Sequence, residues 1–307
     1  MKRKVLIMFP YSGYDKGSPR EAVFWNIVKC STGVTHQPPI VILNRDTERR
    51  GQAKAFLAYI DNHSDKVVVR RTWSVDTCQM WLSGWGKILD ADKADNDDRI
   101  IQLPGDLDFI EDQNNSRSGF FNKLETFIAL PDWDFIIGDF TSGDIFSAKE
   151  LIDWYGTYAL MANWFPEIAQ KIRQLPLNKP RSEFLNIRVG TLSELLNYRK
   201  FAYEQTLNML IRCWDAEKKD WRYRIKSQEL GTLKDDSSFR QYRDCLDQIE
   251  RIERMLKLLW REMHDPLLKN NPQEFMDQYE RYDRRSTSIR DNARIIIRNI
   301  LSLSQMP

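Results

Sequence analysis

The stretch Ile100-Ile-Gln-Leu-Pro-Gly-Asp106-Leu107-Asp108-Phe109 decides how the rest of the chain is interpreted. It opens as an apolar run, which is typical of a strand covered on both faces of a sheet. It ends in two acids two residues apart, and in extended backbone such residues point the same way. Asp106 and Asp108 can therefore reach one site, where carboxylate oxygens suit Mg²⁺ or Mn²⁺. A D-x-D tripeptide is also common in solvated loops, so its surroundings decide its meaning.

Short apolar runs alternate with helical segments on both sides of this stretch. The alternation is typical of βαβ units and predicts an α/β fold with a mostly parallel, doubly wound, Rossmann-like sheet. Ligands of such sheets bind beyond the carboxyl ends of the strands, which is where Asp106 and Asp108 fall. The predicted strands cover residues 5–9, 40–43, 66–70, 99–103 and 134–138, and the predicted helices cover 18–30, 48–62, 75–90 and 117–130.

After residue 147 the pattern becomes helical. Capping boxes at Ser147-Ala-Lys-Glu150 and Thr191-Leu-Ser-Glu194 predict two helix starts. We predict an α/β domain over residues 1–190 and an α-helical extension over residues 191–307 packed on it. The apolar stripe of the 242–263 helix either packs on its own domain or joins copies of the chain in a homo-oligomer. Two shorter helices are expected near 272–285 and 289–302.

Composition excludes several classes of protein. The chain has 46 basic and 44 acidic residues, a net charge of +2 that gives no reason to expect a nucleic-acid partner. No apolar run approaches the about 18 residues of a membrane span. Four Cys and three His without a C-x-x-C pair predict neither a zinc site nor a disulfide framework, so the expected compartment is the cytoplasm. Within residues 90–112, nine acids face two bases, which calls for a cation or a solvated loop.

Polar turns follow three of the predicted strands. They are Pro10-Tyr11-Ser12, Asn44-Arg45-Asp46 and Gly105-Asp106-Leu107-Asp108. Their order and spacing over roughly residues 1–210 resemble the nucleotide-diphospho-sugar transferase fold of GT-A type glycosyltransferases. More loosely, the chain is similar to the mannosylglycerate synthases, which append helices after the core.

The resemblance assigns roles to these turns. It implies that Pro10, Tyr11 and Ser12 touch the nucleotide, and that Arg45 and Asp46 hold its base or ribose. It further implies that Asp106 and Asp108, beside Gly105, bind a divalent metal and the diphosphate of the nucleotide-sugar donor. The expected partners are therefore a nucleotide sugar and a hydroxyl acceptor.

The chain departs from the family pattern in two places. The family often has a third metal ligand, commonly a downstream His, and the only His after Asp108 is His264, at a predicted helix end. The Lys-Gly stretch that often precedes the acidic motif is reduced to Gly84-Trp-Gly-Lys87, which leaves Lys87 as a candidate for donor contact.

Three further segments are candidates for the acceptor side. Asp139 or Asp144, after the fifth strand, could be the general base for an acceptor hydroxyl, or part of a helix-capping turn. Arg181 and Glu183 could bind the acceptor, or form an ordinary ion pair. The polar segment 230–236 could close as a lid carrying Lys226 and Lys234, or simply connect two helices.

Three functions remain open at this point. The first is metal-dependent transfer of a sugar from a nucleotide-diphosphate donor to a hydroxyl. The second is a sugar-phosphate nucleotidyltransferase, although only Gly13–Arg20 offers a basic glycine-containing loop after the first strand. The third is a non-catalytic α/β protein whose helices bind a partner. The signatures G-x-S-x-G, G-x-x-x-x-G-K-[ST] and G-x-G-x-x-G are missing from the sequence.

Overall fold

The computed structural model divides the chain into two compact units. The sheet unit contains Met1–Gly143, Ser182–Gln205 and Trp221–Asp235, and the helical unit contains Asp144–Arg181, Thr206–Asp220 and Asp236–Pro307. The predicted division at residue 190 is a single cut, whereas the chain passes between these units several times. The structure describes residues 1–10, 14–63, 65–73, 77–91, 94–105, 107–109, 117–142, 152–198, 204–234 and 242–303.

Among its described residues, the sheet unit contains one large sheet of eight strands. They are β1 Arg3–Met8, β2 Ile40–Asn44, β3 Val68–Thr72, β4 Arg99–Pro104, β5 Asp108–Phe109, β6 Phe135–Ser142, β7 Leu185–Arg188 and β10 Ile225–Lys234. Their order in the sheet is β3-β2-β1-β4-β7-β6-β10-β5. Six of the eight run in one direction, while β7 and β5 run against them. The predicted mostly parallel α/β architecture is therefore confirmed.

Helices cover both faces of this sheet. They are α1 Pro19–Thr35, α2 Arg45–Arg49, α3 Lys54–Asp61, α4 Thr77–Ala91, α5 Arg117–Ala129 and α8 Val189–Leu195. One face carries a core in which Phe24, Phe56 and Phe127, from three helices, pack with strand residues. On the other face, Gly84 of α4 approaches β2 so closely that a Cβ there would meet Ile42 Cδ1 at 2.4 Å.

The start of α1 follows from its local sequence. Ser18 Oγ accepts a hydrogen bond from the Glu21 backbone N–H at 3.1 Å, and Pro19 occupies the first turn. The Glu21 carboxylate in turn accepts from the Gly17 N–H at 2.5 Å. The predicted helix start is thus confirmed, and the helix continues past the predicted end to Thr35, where His36 adopts a left-handed conformation.

Two predictions about the sheet unit are wrong in detail. The predicted helix 48–62 is two helices, α2 and α3, separated by a turn in which Gly51 has φ of 76°. In the predicted loop or lid at 230–236, residues 230–234 are the end of strand β10, which pairs with β6 and buries Leu230 and Leu233, while residues 235 and 236 lie outside the described part. Because β10 gains its partner from a distant part of the chain, its local polar sequence was a misleading signal.

The helical unit is built around the long helix that was predicted over 242–263. Its elements are the π-helix Ile152–Ala159, α6 Leu160–Trp164, α7 Pro166–Gln174, β8 Trp214–Asp215, α10 Tyr242–Met263, α11 Asp265–Asn270 and α12 Pro272–Leu303. Helix α9 Gln205–Arg212 begins, and β9 Asp220–Trp221 ends, with one residue of the sheet unit. The long helix, α10, packs against the π-helix, α6 and α12 of the same unit. Four residues of its apolar stripe are completely buried, namely Ile249, Ile252, Leu256 and Leu259.

Two expectations change with this arrangement, and one stays open. The buried centre of the α10 stripe favours packing of this helix on its own domain, whereas the homo-oligomer stays a prediction. The two predicted C-terminal helices are one continuous helix, α12. The helix expected from Thr191 begins at Val189 instead. Among the described residues, no helix is both long enough and apolar enough to cross a membrane.

Candidate functional site

The candidate site lies at the edge of the sheet where β1, β2, β3, β4, β6 and β10 end, which we name the carboxyl edge. Strands β2, β1 and β4 are adjacent and parallel, so the turns that follow them meet there. The three turns that were predicted from the sequence begin at Pro10, Asn44 and Gly105. Close to the edge, the Phe9 N–H still donates to the Ile42 carbonyl at 3.0 Å. The structure therefore brings together three segments that were predicted separately.

Gly105 allows the ends of β1 and β4 to come into close contact. A Cβ at this position would lie 2.1 Å from the Met8 carbonyl oxygen and 3.2 Å from the Phe24 ring. Only glycine fits without displacing the backbone of β1, so the acidic motif starts directly beside the end of β1. Pro10 is also buried there. Tyr11, Ser12 and Asp106 lie outside the described residues.

The second acid of the motif is built into the sheet. Asp108 is the first residue of β5, and its backbone lies opposite that of Lys234 at the end of β10. Phe109 pairs in the same way with Leu233. Since β10 runs parallel to β6, Lys234 also lies at the carboxyl edge. The residue that was expected in a lid is therefore placed beside Asp108 by strand pairing.

Two arginine guanidinium groups lie over the ring of an exposed tryptophan at the ends of β2 and β3. Trp73 follows β3 and is 54% exposed, with the Arg45 and Arg49 guanidinium carbons 4.5 and 4.3 Å from its ring centroid. Arg45 Nε is buried, and no described residue accepts a hydrogen bond from it. We name these three residues the Trp73 cluster. Sequence reasoning selected Arg45 but missed Trp73 and Arg49, although a tryptophan directly after a strand was a visible signal.

Helix α2 fixes the position of the Trp73 cluster. Asn44 caps the helix, because its Oδ1 accepts from the Asp46 backbone N–H at 2.8 Å. The Asp46 side chain is exposed beside the cluster on the same first turn. Lys87, on α4, donates from Nζ to the Arg71 carbonyl at 3.0 Å, which joins it to the end of β3. The exposed Lys87 thus lies near the cluster but is already partly engaged.

Of the two predicted general bases, Asp139 and Asp144, the structure describes one. Asp139 is a residue of β6 and not of a capping turn, it is 2% exposed, and its register partner in β10 is Glu229. Near the end of the same strands, the Thr141 and Thr232 hydroxyls lie 3.1 Å apart and are exposed to solvent. Asp144 lies outside the described residues.

The structure describes separate contacts for Arg181 and Glu183. Arg181 belongs to the helical unit, where it donates to Gln248 Oε1 at 2.7 Å and lies 3.7 Å from the Asp153 carboxylate. Glu183 belongs to the sheet unit, where its backbone carbonyl accepts from Gln102 Nε2 at 2.8 Å. The contacts of Arg181 are those of a structural residue of the helical unit.

His264 has structural contacts inside the helical unit. Its Nδ1 lies 2.8 Å from the Trp260 carbonyl oxygen, and its ring stacks on the Trp260 ring at 4.1 Å. Burial lowers the pKa of His264 below its ordinary value. Within the part of the chain that the structure describes, no group of three His, Cys, Asp or Glu side chains could hold a metal ion. The metal site expected at Asp106 and Asp108 stays a prediction, since Asp106 lies outside the described residues.

Comparison with known proteins adds little to this geometry. No protein-family model matches the chain, and no curated protein matches it. A solved structure described as the crystal structure of a mycobacterial protein is similar to it, with a TM-score of 0.49 and 12% sequence identity. The match covers 82% of this chain and 72% of that chain.

Proposed function

We propose that this protein is a metal-dependent glycosyltransferase of the GT-A type, which moves a sugar from a nucleotide-diphosphate donor to a hydroxyl acceptor. The observation that carries the proposal is the parallel adjacency of β2, β1 and β4. It brings to one edge the ends of the three strands that lead into the turns at Pro10, at Arg45 and Asp46, and after Gly105, to which the resemblance assigns donor binding. These are the three elements that the resemblance requires in one place.

The Trp73 cluster supplies groups suited to a nucleoside diphosphate. An exposed indole offers a flat face on which a base can stack. Guanidinium groups such as those of Arg45 and Arg49 bind phosphate oxygens through paired N–H donors. The exposed Asp46 carboxylate can accept hydrogen bonds from ribose hydroxyls or from base N–H groups.

The acidic motif has the chemistry of a Mg²⁺ or Mn²⁺ site. Asp106 and Asp108 are hard oxygen donors two residues apart, and they continue from a strand that ends at the carboxyl edge. A metal held there would offset the charge that develops on the diphosphate leaving group. Lys234, which strand pairing places beside Asp108, would contribute a second positive charge at the same edge.

Asp139 is our candidate for the group that removes the proton from the acceptor hydroxyl. It lies on β6, three strands from β1 in the sheet, and it is buried. A carboxylate within hydrogen-bond reach of a hydroxyl can serve as its general base. Replacing Asp139 with Asn should lower turnover much more than it lowers donor affinity.

A contact before α1 disfavours the nucleotidyltransferase alternative. Such enzymes need backbone N–H groups after the first strand to hold a triphosphate. In this chain the Gly17 N–H is already bonded to the Glu21 carboxylate at 2.5 Å. The carboxylate also places negative charge where a phosphate would have to bind.

The experiment is a search for donor cleavage. Purified protein is incubated with a panel of nucleotide sugars, with Mn²⁺, with Mg²⁺ or with EDTA, and release of the nucleoside diphosphate is measured. We expect metal-dependent release with at least one donor, lost in Asp106→Asn and Asp108→Asn. Asp61→Asn, which removes an exposed carboxylate at the end of α3, is the matched control and should behave as wild type. Release that is equal in EDTA, or unchanged in both motif variants, would refute the proposal.

A further inference from the structure

A cavity lies at the edge of the sheet opposite the carboxyl edge, where β1, β2 and β3 begin and α1 ends. It has a volume of about 410 Å³ and is partly open to solvent. Its lining includes the basic residues Arg3, Lys4 and Arg70, together with the polar Thr35 and Gln37. We name it the amino-edge cavity. None of the turns assigned to the nucleotide sugar takes part in it.

The charge of this cavity is one-sided. Three cations line it, and no carboxylate is among the described residues of its lining. Arg70 is exposed, and no described residue forms a hydrogen bond or an ion pair with its side chain. Like charges gathered around a concave, partly apolar surface create a positive potential that attracts small anions.

Strand pairing explains how these side chains reach one cavity. Leu6, Ile40 and Val68 stand side by side in the register of β1, β2 and β3. Because side chains alternate along a strand, Lys4 and Arg70 project from the same face as these three residues. The two cations therefore flank an apolar floor that includes Ile40 and Val68.

Arg3 is held in position at the rim. Its Nη2 donates to the Ala129 carbonyl at the end of α5 at 2.9 Å, while its Nε is buried without a hydrogen-bond acceptor among the described residues. In β4, its register partner is the buried Arg99. Burial, together with the charges of Arg3 and Arg188, lowers the pKa of Arg99 to about 10.

We propose that the amino-edge cavity binds a small phosphorylated compound, a phosphate monoester with a short polar carbon skeleton. A phosphate dianion matches the two cations that share a face, Lys4 and Arg70, since guanidinium and ammonium groups bind phosphate oxygens with charge-assisted hydrogen bonds. The volume is in the range of about 300–1,000 Å³ that is usual for small-molecule sites and exceeds the needs of a bare phosphate. The Thr35 and Gln37 side chains and the apolar floor would contact the carbon skeleton. This site is separate from the carboxyl edge and does not depend on the glycosyltransferase proposal.

The test is calorimetric titration with glucose 6-phosphate, inorganic phosphate and glucose. We expect the sugar phosphate to bind and glucose not to bind. Arg70→Ala and Lys4→Ala should each weaken the binding of the sugar phosphate by about tenfold, as expected for loss of one charge-assisted contact. Lys54→Ala, which removes an exposed cation of α3 outside the cavity, is the matched control and should leave the affinity unchanged. Inorganic phosphate binding as tightly as the sugar phosphate, and weakened by the same variants, would support free phosphate as the ligand.

Several results would overturn the proposal. The first is an absence of binding by wild-type protein, and the second is equal weakening in Lys54→Ala. The third is an affinity that falls in Arg45→Ala but not in Arg70→Ala, which would place the phosphate at the carboxyl edge. Because Arg70 is exposed, Arg70→Ala should keep the thermal midpoint of wild type, so a loss of binding is not a loss of fold.

Discussion

Asp108 lies opposite Lys234 in the sheet, where the two-residue strand β5 pairs antiparallel with the end of β10. The acidic motif is thereby joined to a strand from a distant part of the chain. The pairing places a basic residue next to an acid that the resemblance assigns to a metal and a diphosphate. In the proposed function, the two residues contribute opposite charges to the same binding site.

The first prediction concerns Lys234. Lys234→Ala should weaken the binding of a nucleoside diphosphate about tenfold or more, because a charged donor to a phosphate oxygen is lost. Titration calorimetry in the presence of Mn²⁺ measures this change. Lys226→Ala is the control on the same strand, since Lys226 lies over the Trp133 ring at 5.8 Å. Equal affinities of Lys234→Ala and wild type would show that Lys234 does not contact the nucleoside diphosphate.

The second prediction concerns the close approach at Gly105. Gly105→Ala should lower the free energy of unfolding by about 2–3 kcal/mol, because the new Cβ would overlap the Met8 carbonyl and force the backbone to move. Gly86→Ala is the matched control, since Gly86 lies inside α4 and a Cβ added there would have nothing within 4 Å. That change should raise stability by about 0.5–1 kcal/mol. Urea unfolding measures both, and a stable Gly105→Ala would contradict the tight contact.

The third prediction concerns Trp73. Trp73→Ala should weaken nucleoside diphosphate binding by about tenfold to a hundredfold, the range expected when one base loses its stacking partner. Trp73→Phe should retain most of the affinity. Trp154→Ala removes a tryptophan of the helical unit that is 60% exposed, and it should bind as wild type does. If Trp73→Ala binds normally, the base is recognised elsewhere.

The fourth prediction concerns pH. Burial by itself would raise the pKa of Asp134, but hydrogen bonds from Arg224 and Arg188 outweigh it and lower the pKa to about 2. The unfolded chain has an ordinary aspartate pKa of about 3.9. Ionised Asp134 therefore stabilises the fold above about pH 4, and this contribution is lost as the pH falls toward 2.

Urea unfolding between pH 5 and pH 2 tests this predicted loss of stability with falling pH. Asp134→Asn should lose less stability over that interval than wild type, because it lacks the titrating carboxylate. Asp132→Asn, which changes an exposed neighbour, should follow the wild-type profile. Identical slopes for Asp134→Asn and wild type would show that the two arginines do not hold the carboxylate as described.

Local sequence predicted the elements that are stabilised locally. β1, β2 and β4 are largely buried and contain continuous apolar runs, while Ser18 and Glu21 marked the start of α1. The long α10 was predicted because its buried residues recur every three or four positions.

Non-local pairing explains what the sequence did not predict. β7 and β10 contain few consecutive apolar residues, and they become strands because β4 and β6 supply their partners. The Trp73 cluster also depends on non-local pairing, since Trp73 meets Arg45 and Arg49 only when β3 pairs with β2. Predicting such contacts requires the strand order, which the local pattern does not contain.

The most direct test of the central claim is the binding of a nucleoside diphosphate to wild-type protein and to Asp108→Asn, each with Mn²⁺ and with EDTA. Titration calorimetry with UDP, GDP and ADP measures the affinities. We predict that wild type binds at least one of the three, that EDTA weakens this binding at least about tenfold, and that Asp108→Asn shows the weak affinity under both conditions. Binding that is the same with Mn²⁺ and with EDTA, or the same in wild type and Asp108→Asn, would contradict the account.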